Sequence, residues 1–245
     1  MVHSLRHLFA HTHILPWDER TALCPVMPAH DLTSVLVLTS GSQDASVPSL
    51  RAVQRRISRA VTKDGIQRII FSGRDPLCRS DLASILQYTK ERFDVETGVA
   101  TDTLLFDHEA IESCLPYLDC LYIPLDAENE SVNTLLRPSH QFSKVLTTLH
   151  DLSGKGVRLE VSTIVTAVNK DAVVGIARLI RDVVDVWRVF QCIPGRSGNR
   201  CFVNNVDFTV IIDAIEANIR GSRVRFESCY GREGVTEHMF QAIEC

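Results

Sequence analysis

The chain has 245 residues, of which 45% are hydrophobic and 23% charged, and its formal net charge is −4. That length suits one large α/β domain, and that balance supports a buried core. There is no basic block of the kind that nucleic-acid binding requires, and no apolar run approaches the roughly 20 residues of a membrane-spanning helix.

The first 33 residues, rich in His and Pro, read as an N-terminal extension. The opening MVHSLRHLFAHTHILPWDER is interrupted by Arg6 and His7 and lacks the long apolar run and small-residue cleavage site of a signal peptide. The reading is therefore a cytoplasmic protein whose eight cysteines are free thiols. None of them forms C-x2-C. His3, His7 and His11 would share one face of a helix, but no carboxylate or cysteine completes a metal set, so they read as an ordinary polar face.

Beyond the extension, β-branched apolar runs alternate with segments of helical period. Ser34–Thr39 predicts a buried strand, and residues 49–63 predict a helix with Val53, Ile57, Ala60 and Val61 on one face. RIIFS at 68–72 predicts a second strand. Residues 80–92 predict a second helix, with Leu82, Ile85, Leu86 and Thr89 inward. Further strands are expected at 94–100, 120–125, 157–166 and 186–192, and further helices at 108–115, 140–153, 171–183 and 206–219. Short apolar runs follow at Val224–Phe226 and Met239–Ile243.

Strands and helices that alternate in this way call for parallel strands with helices outside, wound either as an open sheet or as a barrel. In both, the loops at the carboxyl ends of the strands carry the site. Those loops are TSGSQDASVPS, SGRDPL, ATDT, LDAEN and VTAVNK. The first sets Ser42, Ser46 and Ser49 in the pattern S-x3-S-x2-S, and none of these lies in the G-x-S-x-G elbow of a hydrolase nucleophile.

Taken in order, these strand ends resemble the radical S-adenosylmethionine (radical SAM) superfamily. Its first strand enters a C-x3-C-x2-C loop whose thiolates hold a 4Fe–4S cluster, and here serine fills all three positions. Its second strand ends in Gly-Gly-Glu-Pro, and Gly73, Arg74, Asp75 and Pro76 stand in that place. Thr101-Asp102-Thr103 sits where the family has Thr-Asn-Gly. Ile123-Pro124-Leu125-Asp126, followed by Arg137, matches the fourth strand end, and Thr163 to Asn169 matches T-x-V-x-x-x-N. VWRVFQCIPGRSG resembles the sixth strand and its turn, with a weak viperin-like flavour.

The resemblance covers about residues 34–200 and implies a partial (β/α)6 TIM-like barrel, to which residues 201–245 add a C-terminal helix and short strands in the same domain. It also implies a small-molecule ligand, SAM. Gly73–Pro76 would meet the SAM amino group, Thr101 and Asp102 the ribose, and Arg137 and Asn169 the carboxylate and ribose side, with Asp126 beside them. Each has a plainer reading. Asp75-Pro76 can simply start the next helix, Asp126 and Asn169 can cap helices, and Arg137 can be solvated.

Soft thiolates bind cluster iron and set its potential, whereas a serine hydroxyl is hard and un-ionised at neutral pH. The cluster is therefore expected for the family but not for this chain, and reductive cleavage of SAM to a 5′-deoxyadenosyl radical is not expected as written. Replacement of three cysteines or divergence of the whole site would both produce such a loop. Arg74 and Thr103, each standing where the family has glycine, favour divergence. Two other readings stand beside this one: a pseudoenzyme that senses SAM or docks a protein partner, and an enzyme that uses SAM in non-radical chemistry.

Overall fold

A computed structural model describes residues 12–14, 33–39, 47–73, 75–101, 108–137, 141–192 and 201–229. Ser42, Ser46, Arg74, Asp102 and Thr103 lie outside the described residues. So do His3, His7 and His11, the PGRSG turn and the Met239–Ile243 run. The chain forms two compact units, Met1–Thr101 with Leu105–Leu121, and Asp102–Leu104 with Tyr122–Cys245.

In the first unit, β1 (Thr12–Ile14), β2 (Thr33–Thr39), β3 (Arg68–Gly73) and β4 (Glu96–Ala100) lie side by side in chain order, each parallel to the next. Between them run α1 (Leu50–Asp64) and α2 (Leu82–Phe93), and α3 (His108–Cys114) follows β4. Val53, Ile57 and Ala60 of α1 are buried as their spacing predicts, while Val61, one position round the helix, is only half-buried. On α2 all four expected residues, Leu82, Ile85, Leu86 and Thr89, are buried. Each fully buried Leu, Ile or Phe contributes about 1.5–3 kcal/mol. Gly65 ends α1 in the left-handed conformation, φ 67°, and returns its N–H to the carbonyl of Ala60.

The second unit takes the end of β5 (Cys120–Pro124), then α4 (Glu130–Leu136), α5 (Phe142–Leu152), β6 (Arg158–Val165), α6 (Val173–Ile180), β7 (Val186–Gln191), α7 (Asn205–Ile219) and β8 (Arg225–Cys229). β6, β7 and β8 are parallel neighbours. Every residue of β5 and β7 is buried, which is why these strands read as unbroken apolar runs rather than alternating ones.

The fold is α/β, with parallel strands and intervening helices as in a partial TIM-like barrel. The six expected strands are β2 to β7. One more was not expected, β1, inside the N-terminal extension, while β8 falls at the Val224–Phe226 run among the short C-terminal strands. The helix α4 was also missed. It has only seven residues and no apolar stripe, and it is started by Asn129, whose Oδ1 accepts from the Val132 N–H at 3.0 Å. Among the described residues, no helix is long and apolar enough to cross a membrane.

Candidate functional site: two strand-end clusters

In the first unit the end of β3 requires glycine, because Gly73 has φ 134°, where a side chain is strained. The chain then turns at Asp75, a carboxylate only 2% exposed. Its Oδ1 accepts from the Leu77 N–H at 3.0 Å and from the Thr101 hydroxyl at 2.9 Å. The first bond caps a 3₁₀ turn over Pro76–Cys78, so the plain reading of Asp-Pro as a turn starter holds. The second ties the end of β3 to the end of β4 and brings Thr101 and Asp75 together.

Arg79 was not anticipated from the sequence. Its Nε and Nη2 bind Asp81, both at 2.8 Å, and its Nη1 donates to the carbonyls of Leu38 at 3.3 Å and Pro48 at 3.0 Å. It thereby holds both ends of the serine-containing loop, the last turn of β2 and the approach to α1. Only the Asp81 pairing, two residues away, has a local signal. Ser49, the one described serine of the triplet, is the N-cap of α1, and its Oγ accepts from the Ala52 N–H at 3.4 Å.

In the second unit the cluster is built on Asp126, just past β5 and also 2% exposed. Oδ1 accepts from the Ile164 N–H at 2.7 Å, and Oδ2 accepts from Arg137 Nε at 3.0 Å and Nη2 at 2.7 Å. Asp126 is thus not the cap of α4. It fixes the arginine that ends α4 and pins β5 to β6. Arg137 keeps 19% of its side chain exposed.

Asn169 is fully buried, with Nδ2 donating to the carbonyls of Asp126 at 2.7 Å and Ile164 at 2.9 Å. Its Oδ1 accepts from Thr166 N at 2.7 Å and Thr166 Oγ1 at 3.0 Å. The amide's two donors and its carbonyl oxygen are all engaged within the chain. Asn169 therefore frames the loop after β6 and does not cap α6, whose N-cap is Ala172. Behind this frame, the Thr163 hydroxyl donates to the Leu125 carbonyl at 2.6 Å, and the indole N–H of Trp187 donates to Thr163 Oγ1 at 2.9 Å.

One face of β6–β8 carries an ionic row. Arg158 Nε bonds Glu160 at 2.8 Å, Glu160 pairs with Arg188, and Arg188 Nε bonds Glu227 at 2.7 Å. Cys229 follows two residues along β8, opposite Phe190. Burial pushes its thiol above the ordinary value, while Arg188 pulls it down and Glu227 pushes it up again. Among the described residues no group of three or more His, Cys, Asp or Glu is arranged to hold a metal ion.

The sequence profile of the Radical SAM superfamily matches residues 30–180. No protein of curated function matches the sequence. Among solved structures, the chain is similar to SuiB of Streptococcus suis. The TM-score is 0.69 at 12% identity, covering 87% of this chain and 52% of that one. SuiB bound to S-adenosylmethionine gives 0.62 at 13%, over 79% and 50%. A radical SAM methyltransferase of Sphaerobacter thermophilus gives 0.56 at 16%, over 75% and 57%. The chain spans about half the length of the SuiB chains, and at these identities the likeness is one of fold.

Proposed function

The chain belongs to the radical SAM superfamily, and from that premise we propose that it keeps a SAM-binding frame but has lost the cluster that cleaves SAM reductively. The observation that carries this is the donor set at Ser42, Ser46 and Ser49. Three hard, un-ionised hydroxyls do not replace three thiolates at iron. Ser49 is moreover engaged as a helix cap, a role suited to an oxygen acceptor. These residues do not fit a 4Fe–4S cluster, and no radical step is assigned to them.

The residues assigned to SAM do suit its polar groups. Gly73 leaves backbone open at the end of β3, and Asp75 supplies a carboxylate toward an ammonium, with Pro76 fixing the turn and Arg74 beside it. Thr101 and Asp102 are assigned to the ribose. In the second unit, Arg137 is assigned to the ligand carboxylate, a pairing that guanidinium geometry favours. Asp126 and Asn169 act as positioning residues for it, because their own polar atoms are engaged in the frame. On this reading the protein is a pseudoenzyme for reductive cleavage, acting as a sensor or an interaction module.

The test is anaerobic iron–sulfide reconstitution of this chain beside its Ser42→Cys/Ser46→Cys/Ser49→Cys variant, with SAM calorimetry on the parent. The parent stays colourless and gives a saturable heat with SAM, while the variant turns brown. A brown parent, or a parent silent toward SAM, overturns the reading.

A further inference from the structure

The outer face of α1 carries Arg51, Arg55, Arg59 and Lys63, each exposed and each four positions from the next. At a rise of about 1.5 Å per residue they form one ridge of positive charge about 18 Å long, in steps of about 6 Å. The ridge lies on the side away from the buried Val53, Ile57 and Ala60. Among the described residues, no hydrogen bond or ion pair engages any of the four side chains. The helix has one acid, Asp64, and it is the last residue.

This arrangement works against the helix that bears it. Like charges at i, i+4 repel, and the ridge stacks Arg51 on Arg55, Arg55 on Arg59, and Arg59 on Lys63. Arg51 stands in the first turn, where the helix dipole disfavours a cation, and no acidic residue shares that turn. The whole chain, by contrast, has a net charge of −4. A line of bases held at a cost to its own helix calls for a counter-charge from outside.

The surroundings of the ridge select among polyanions. A membrane surface takes apolar side chains beside the bases, and no large hydrophobic residue of α1 is exposed. A nucleic-acid strand takes a stacking platform, and α1 has no aromatic residue. The hydroxyls beside the ridge, Ser58 and Thr62, already donate to the carbonyls of Gln54 and Ser58. The net negative charge of the chain further opposes a long polyanion.

We propose that the outer face of α1 docks an acidic helix of a protein partner, whose carboxylates at i, i+4 meet Arg51, Arg55, Arg59 and Lys63. Carboxylates on such a helix advance by the same step of about 6 Å, and guanidinium takes a carboxylate through two parallel bonds. The contact is electrostatic, so it forms fast and weakens with salt. It uses no residue assigned to SAM and stands whether or not SAM binds.

The test measures binding of probes to the full chain. The probes are a helical alanine-rich peptide with Glu at every fourth position, its Gln counterpart, a charge-matched Glu peptide broken by prolines, an oligouridylate of equal charge, and phosphatidylserine vesicles. The helical Glu peptide binds saturably, and added salt weakens it. The other probes bind at least about tenfold more weakly. Arg55→Glu/Lys63→Glu alternates the signs along the ridge and turns its repulsive pairs into attractive ones. That variant loses peptide binding at least about tenfold, while its thermal midpoint holds or rises and its heat with SAM matches the parent's. No binding of the helical Glu peptide, equal binding of any other probe, or undiminished binding in the variant overturns the proposal. Silence toward SAM with intact peptide binding removes only the SAM assignment.

Discussion

Asp75 and Asp126 occupy like positions in the two units, each one or two residues past a strand and each 2% exposed. They are stabilised differently. Asp75 takes a backbone N–H and a hydroxyl on one oxygen, whereas Asp126 takes a backbone N–H on one oxygen and a guanidinium on the other. Both bonds to Asp75 Oδ1 are ones that an amide oxygen can also accept. A carboxylate paired with arginine cannot lose its partner without leaving a buried charge uncompensated. The pairing with Arg137 therefore ties Asp126 into the frame of the second strand end.

The sharpest test of that contrast is Arg137→Met, which leaves Asp126 buried and unpaired. Urea unfolding should show a loss of about 3–5 kcal/mol, with part regained in Arg137→Met/Asp126→Asn. Next comes Asn169→Ala, which strands the Asp126 and Ile164 carbonyls and the Thr166 N–H, at about 3 kcal/mol by the same measurement. Asp75→Asn keeps the Oδ1 acceptor for Leu77 and Thr101 and should cost about 1 kcal/mol. A loss matching that of Arg137→Met would erase the distinction between the two aspartates. Ser49→Ala removes a long, exposed cap bond and should cost about 0.5 kcal/mol, with Ser49→Gly smaller still.

The smallest effect extends the contrast to thiols. Burial raises Cys114 in the first unit, a neutral Ser113 hydrogen bond opposing it, and burial raises Cys229 in the second, where Arg188 and Glu227 act in opposite senses. A thiol whose pKa is raised in the folded state keeps its proton after the unfolded chain has lost it. Its contribution is thus complete below the ordinary thiol range and is lost as pH rises through that range toward the folded value. Denaturation midpoints should fall more steeply above about pH 8 in the parent than in Cys114→Ala/Cys229→Ala. High salt should alter the Cys229 part and leave the Cys114 part, since only the former has charged neighbours.

Much of this architecture was legible because it is local. The periodicity of α2 named its four inward residues, and the buried runs of β5 and β7 named the strands. The order of strand-end motifs carried the family, although no single one was decisive. What escaped was set by partners far apart in sequence. Arg79 reaches Leu38 across 41 positions, and Asp126 reaches Ile164 across 38. The helix α4 also escaped, because it depends on its Asn129 cap rather than on an apolar stripe. Asn169 was read as either a pocket residue or a helix cap. Its amide bridges the loops after β5 and β6, a set of contacts that only the tertiary structure reveals.

Trp187 is wholly buried and is one of two tryptophans in the chain. Its indole N–H rests on Thr163, whose hydroxyl is handed on to the carbonyl of Leu125, the residue beside Asp126. A chromophore sensitive to its hydrogen bonding is thus wired, through two contacts, to the turn that holds Arg137. The emission of Trp187 is a built-in optical gauge of that turn, able to register a ligand without any turnover to follow.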